Sequence, residues 1–126
     1  MNLLLDSAFL IDQLNGRREA AVRWRRMFED GDSLLINEVV VCEVRAGLLA
    51  HELSIFETLL EPLEFVQPSP DAALKAGEWR AGARVMGRAL SLADSLIAAA
   101  AYSNAAAVVT RNPRDFALTP VPVETY

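Results

Sequence analysis

Four short apolar runs, "NLLLD" from Asn2, "SLLI" from Ser33, "LEFV" from Leu63 and "AVVT" from Ala107, punctuate a chain whose remaining stretches carry helical periodicity. The runs are too short for helices, and a brief continuous apolar run is the pattern of a strand buried on both faces. Strands separated by helical stretches run parallel, with the helices covering the sheet. The expected class is therefore α/β, an α/β/α sandwich with a mostly parallel central sheet. With 126 residues the chain makes a single domain over 1–126, long enough for one core and too short for two.

The stretches between the runs have their own punctuation. "SAFLIDQLN" reads as a helix stopped by Gly16, and Arg18 to Phe28 as a second helix broken by "EDGD". "NEVVVCEVRAGLLA" mixes signals, because Val39, Val40 and Val41 favour strand while its length and later leucines and alanines favour helix. With Asn37 as cap it is read as helix. "LSIFETLL" runs helically to Pro62, and Ser69 with Pro70 opens a long helix that ends near Gly87. "SLADSLIAAAAYSN" is helical and apolar nearly all round, hence buried. "RNPRDF" is a turn, and "VPVET" is an edge strand, since Pro120 and Pro122 do not suit a sheet interior.

Composition removes several classes of function. Apolar residues make up 52% of the chain, which excludes intrinsic disorder. No apolar run approaches a bilayer span and the N-terminus lacks signal-peptide features, so the expectation is a cytoplasmic protein without a membrane partner. The lone Cys42, set among valines, is expected to pack as a small reduced apolar residue, and the lone His51 reads as a surface histidine. The net charge of −5 argues against simple electrostatic binding of nucleic acid. Distribution matters more than the sum, because every basic residue except Lys75 is an arginine. Arg23, Arg25 and Arg26 read as a solvated helix face. Arg80, Arg84 and Arg88, spaced by four, are expected to share one helical face that a phosphate backbone could use.

In a parallel α/β sheet, ligands bind at the carboxyl edge of the strands. Asp6 closes the first strand, so it belongs there. Asn112 and Asp115 lie in the turn after "AVVT", and Asp94 lies in the first turn of a helix whose N-terminus points to the same edge. Glu43 is a different case. It stands at helical spacing from Val39, Val40 and Gly47, an acid on or beside an apolar face, tolerated where a cation pairs with it. It lies about 9 Å along its helix, so spacing alone does not deliver it to the edge. Each acid also has a structural reading. Asp6 or Ser7 caps the first helix, Ser91 with Asp94 fits a capping box, and Asn112 before Pro113 is another cap. Capping does not explain why the acids gather at one edge.

"LLLDSAFLID", "VVVCEVRAGLL", "SLADSLIAAAA" and "VVTRNPRDF" stand in the order and approximate spacing of the PIN domain, and the whole chain resembles a VapC-type toxin of a bacterial or archaeal toxin–antitoxin pair. The resemblance implies a PIN-like fold and divalent metal held by Asp6, Glu43, Asp94 and Asp115. It gives Thr110 and Asn112 polar places near the metal and Ser7 a small polar place after the first acid. Asn37 stands where serine or threonine is common, and Glu38 adds an acid without an assigned role. Hard oxygen ligands select Mg²⁺, or Mn²⁺ in its place, and clustered carboxylates need a cation to ionise together. The implied activity is endonucleolytic hydrolysis of tRNA or rRNA loops by a metal-activated water, leaving a 5′-phosphate and a 3′-hydroxyl. The implied partners are a cognate antitoxin, the RNA substrate and a second copy in a homodimer.

Two other classes compete. A receiver domain also gathers acids for Mg²⁺, but it needs paired acids after the first strand and a late lysine, whereas here Ser7 follows Asp6 and the only lysine is Lys75. A non-catalytic PIN-like binding module would be free to lose acids, and all four are intact. Finally, "GLLAHELSIFETLLEPLEFV" holds more apolar residues than short helical pieces can bury. It reads either as a satellite core cluster or as a groove, with Phe56 in it, for an amphipathic antitoxin helix.

Overall fold

The computed structural model describes all 126 residues. Strands β1 (Asn2–Leu5), β2 (Ser33–Ile36), β3 (Glu64–Phe65), β4 (Ala107–Val109) and β5 (Val123–Glu124) form one sheet in the order β3-β2-β1-β4-β5. Every neighbouring pair is parallel. The helices are α1 (Ser7–Leu14), α2 (Arg18–Glu29), α3 (Glu38–Ala46), α4 (Leu53–Leu60), α5 (Pro70–Val85) and α6 (Leu92–Ser103).

Leu3, Leu4 and Leu5 are all fully buried, although alternate side chains of a strand point to opposite faces, so β1 is covered on both sides. Right-handed crossovers account for the two layers. The steps outward from β1 to β2 and β3 place α1 to α4 on one face, and the return from β3 to β4 places α5 and α6 on the other. The strand order therefore reverses between β1 and β4, where Leu4 is flanked by Leu35 on one side and Val108 on the other. That reversal opens a crevice at the carboxyl ends of β1 and β4.

The mixed signal of the third helical stretch resolves as helix. Asn37 Oδ1 accepts from Val40 N at 3.1 Å, and Val40 and Val44, four apart, face the core. The helix stops at Ala46, four residues short of the helical stretch that the sequence predicts through Ala50. Cys42 corrects an expectation: it is exposed, because the buried stripe of α3 passes through Val40 and Val44 instead. The run "LEFV" pairs over only two residues, extended by Val66 N donating to Ile36 O at 2.7 Å. Phe56 is buried in the core cluster, whereas Leu49, Ile55 and Phe65 stay exposed. Arg23 is no solvated residue. It bonds Glu124 at 2.8 Å and ties α2 to the edge strand β5. No helix is long and apolar enough to cross a membrane.

Candidate active site

The crevice between β1 and β4 is built from residues that leave the two strands together. Leu5 lies opposite Val109, so the next residues, Asp6 and Thr110, emerge side by side. Asp6 N donates to Val109 O at 3.0 Å. Thr110 Oγ1 donates to Asp6 Oδ2 at 2.7 Å and accepts from Asn112 N at 3.0 Å. One buried hydroxyl thus joins the first acid to the turn that carries Asn112 and Asp115.

Asp6 caps α1 as well, its Oδ1 accepting from Ser7 N at 2.9 Å. Capping and membership of the acid group are two uses of one carboxylate, because helix start and strand end coincide there. Ser7 Oγ reaches across to α3 and donates to Glu43 Oε1 at 3.1 Å. Contact between α1 and α3 supplies what spacing could not, and Glu43 comes to the edge. It does so from the exposed side of α3, beside the apolar stripe of Val40 and Val44 rather than on it. Asp94 lies in the first turn of α6, where its N–H donates to Ser91 Oγ at 3.0 Å. Asp115 sits in a one-turn 3₁₀ helix, Pro113–Phe116. Asn112 does not cap that turn with its side chain, contrary to the capping reading.

Burial pushes the Asp6 carboxyl above its ordinary pKa. The bonds from Thr110 and Ser7 oppose that rise, and the charges of Glu43 and Asp115 add to it. Asp94 is raised too, chiefly by burial and then by Asp115 and Asp6, with Ser91 opposing. Asp6, Asp94 and Asp115 therefore share one electrostatic field.

Asp94 and Asp115 line a cleft of ≈ 570 Å³ together with Arg80, Arg88 and Arg114. This corrects the arginine stripe. Helix α5 ends at Val85, and Gly87 turns the chain so that Arg88 leaves the helical face and borders the cleft. Arg84 is exposed and does not line it. Arg80 is anchored by Nε donating to Leu90 O at 3.1 Å. Arg114 was missed by sequence reasoning, although its place in "RNPRDF", next to Asp115, was signal enough. Asp12 was missed as well: it is a buried acid on α1 that holds Arg111 of the same turn. Asp12 stands three residues after the buried Phe9, an acid at helical spacing on an apolar face. Glu38 lines an apolar pocket with Asn37, Val39 and Leu96.

The donor set suits a hard divalent cation, being carboxylate and hydroxyl oxygens, with the ionised forms of Asp6 and Asp94 disfavoured by burial in the absence of one. No three acidic, histidine or cysteine side chains stand close enough to enclose an ion by themselves. An ion that keeps several of its own waters and takes one or two carboxylates matches that openness, and Mg²⁺ is such an ion.

The model of the PIN domain matches residues 3–121. The chain belongs to the PIN domain family. Among curated relatives, ribonuclease VapC19 of Mycobacterium tuberculosis is 29% identical over 117 residues, which is 93% of this PIN domain and 94% of that protein. Among solved structures, VapBC2 from Rickettsia felis, bound to a promoter DNA fragment, superposes with a TM-score of 0.87 at 21% identity, covering 100% of this chain and 99% of that one. DNA-bound VapBC from Salmonella typhimurium gives a TM-score of 0.85 at 25% identity, covering 99% and 98%. A toxin–antitoxin complex from Klebsiella pneumoniae gives 0.78 at 28%, covering 97% and 96%.

Proposed function

We propose that this PIN domain is a metal-dependent endoribonuclease, the toxin of a type II toxin–antitoxin pair, acting on structured RNA of the tRNA or rRNA class. The reading is supported by two linked pairs of acids at the carboxyl edge of the sheet: Asp6 and Glu43, both reached by Ser7 Oγ, and Asp94 and Asp115, which line a cleft bordered by Arg80, Arg88 and Arg114. The similarity to ribonuclease VapC19 supports the same class of chemistry. Asp6, Glu43, Asp94 and Asp115 would hold the cation, with Mg²⁺ favoured and Mn²⁺ able to replace it. When bound, it supplies a water of lowered pKa and neutralises charge on the phosphoryl oxygens.

The chain's own groups do the rest. Thr110 holds Asp6 in one orientation, Ser7 couples Asp6 to Glu43, and the Asn112 backbone N–H fixes the Thr110 hydroxyl. The arginines across the cleft offer contacts to phosphates on either side of the scissile bond. A non-catalytic binding module does not need an acid pair lining a cleft among three arginines, so that alternative stands second.

The antitoxin reading rests on the similarity to toxin–antitoxin complexes and on an open cleft between α1, α2 and α4, lined by Leu14, Trp24, Ile55 and Leu59. For a second copy, a mostly apolar groove lined by Val39, Cys42, Leu92 and Leu96 lies beside Glu43. Cleavage of a structured RNA in Mg²⁺ or Mn²⁺, its loss with EDTA, and its reduction by at least about 100-fold in Asp6→Asn and Asp94→Asn test the nuclease reading. Both variants cleaving at the wild-type rate would sink it.

A further inference from the structure

Asp12 is only 1% exposed, yet its carboxylate makes three polar contacts. Oδ1 receives Arg17 Nε at 3.2 Å and Arg111 Nη1, and Oδ2 accepts from Tyr126 Oη at 2.6 Å. Two guanidinium groups and a phenol therefore converge on one buried acid. Tyr126 is held in turn by Phe9, with ring centroids 4.9 Å apart and edge to face.

The connections of these groups matter more than their number. Arg111 directly follows Thr110, the residue that bonds Asp6, and directly precedes Asn112. The turn bearing Asn112 and Asp115 is fastened at Thr110 by the acid that opens α1 and at Arg111 by Asp12, further along the same helix. Helix α1 thus presents Asp6 and Ser7 and also sets where the turn lies relative to them. Asp115 itself is exposed; the far end of its turn is pinned by Phe116, buried in the core, and the near end is closed by Asp115 N donating to Asn112 O at 3.1 Å, so the Arg111 contact fixes the side of the turn that faces α1.

We propose that Asp12 is a positioning residue for the metal-binding acids, acting through Arg111 to hold the Thr110–Asp115 turn against α1. The proposal rests on the nuclease reading for its kinetic consequence, though not for its structural one. Removing Asp12 frees the turn on one side and leaves Arg111 beside the acids without its partner. Outer groups that orient ligands commonly change metal affinity or activity by about 10- to 100-fold, which sets the size of the effect.

The experiment uses the full chain as Asp12→Asn, as Arg111→Met and as the double variant. Arg111 is partly exposed, so Arg111→Met keeps the test alive should Asp12→Asn fold poorly. Amide hydrogen exchange over residues 110–116 is read without metal, Mn²⁺ binding by calorimetry, and kcat and KM on a structured RNA over a range of salt. The expected result is faster exchange confined to that turn, Mn²⁺ binding weakened about 10-fold or more, and a matching fall in kcat at nearly constant KM. The double variant should lose no more than either single one, as members of one unit do. Unchanged exchange would overturn the proposal. So would a raised KM with a flattened salt slope in Arg111→Met alone, which would make Arg111 an RNA contact. A wild type inactive on every RNA would overturn the nuclease reading by itself, with exchange and Mn²⁺ binding still deciding the clamp.

Discussion

Asp94 shows how one residue carries both a structural and a chemical burden. Its burial, with the charges of Asp115 and Asp6, raises its pKa, so the folded protein holds that proton more tightly than the unfolded chain does. Stability then falls as pH rises through the window between the ordinary value of 3.8 and the raised folded value, and the deficit persists above it. In metal-free buffer Asp94→Asn should therefore melt higher than wild type at neutral pH, the difference fading on acidification toward 3.8. A divalent cation should reverse the order, because only wild type gains a ligand from it. Thermal melts across that pH range, with EDTA and with Mg²⁺, check both halves. A variant less stable than wild type at neutral pH without metal would show that Asp94 is structurally required. This residue was legible in the sequence because a helix start in an α/β fold has a predictable place. Glu43 was not, since its delivery depends on the contact of α1 with α3 and the reach of Ser7, neither of which spacing encodes. Asp12 was hidden for a related reason: the sequence shows an acid on an apolar stripe, and besides nearby Arg17 its partners lie 99 and 114 residues away in Arg111 and Tyr126.

At the level of elements, helix ends decide where functional side chains arrive. Helix α5 stops because Gly87, at φ 69, adopts the left-handed conformation and lets Arg88 N donate to Ala83 O at 2.9 Å. Helix α6 stops in the same way at Ala105, φ 49, with Ala106 N donating to Ala101 O at 2.9 Å. An alanine there bears a clash that glycine avoids. Two opposite outcomes follow. Ala105→Gly should stabilise the protein by about 0.5–1 kcal/mol, and Gly87→Ala should destabilise it by about 1 kcal/mol, both read from denaturant midpoints at constant m-value. Gly87→Ala should also lower RNA affinity, because the turn at Gly87 takes Arg88 to the cleft. Stops at Gly16 and Gly87 were visible in the sequence, since glycine after an amphipathic run is a chemical signal. The stop at Ala105 carried no such signal. The arginine stripe failed for the same reason in reverse, being extended by spacing across a helix end that Gly87 had already set.

At the scale of the whole molecule, the cleft between α1, α2 and α4 is an apolar surface without an internal partner. The segment from Gly47 to Val66 was read as either core or groove, and the structure divides it: Phe56 is core, while Ile55, 59% exposed, and Leu59 border an open cleft with Leu14 and Trp24. Gln13 lines the same cleft, and its buried Oε1 has no hydrogen-bond partner. An acceptor left in that state costs about 1–3 kcal/mol, a cost that a donor from a docked chain would offset. Apolar anchors bordering an unsatisfied acceptor suit an amphipathic helix carrying a polar side chain among its anchors. Under the toxin reading, that helix belongs to a small protein encoded beside this one. Phe56→Asp, which would disrupt the core, does not test the idea, whereas Ile55→Asp does. The substitution should weaken the complex at least 10-fold, measured by calorimetry, because it places a charge where an apolar anchor must seat. It should leave stability within about 0.5 kcal/mol, since Ile55 is a surface position. RNA cleavage by the free toxin should be unchanged, as no residue of this cleft belongs to the acid group. Full binding by Ile55→Asp would move the antitoxin to another face, with the groove beside Glu43, between α3 and α6, next in line.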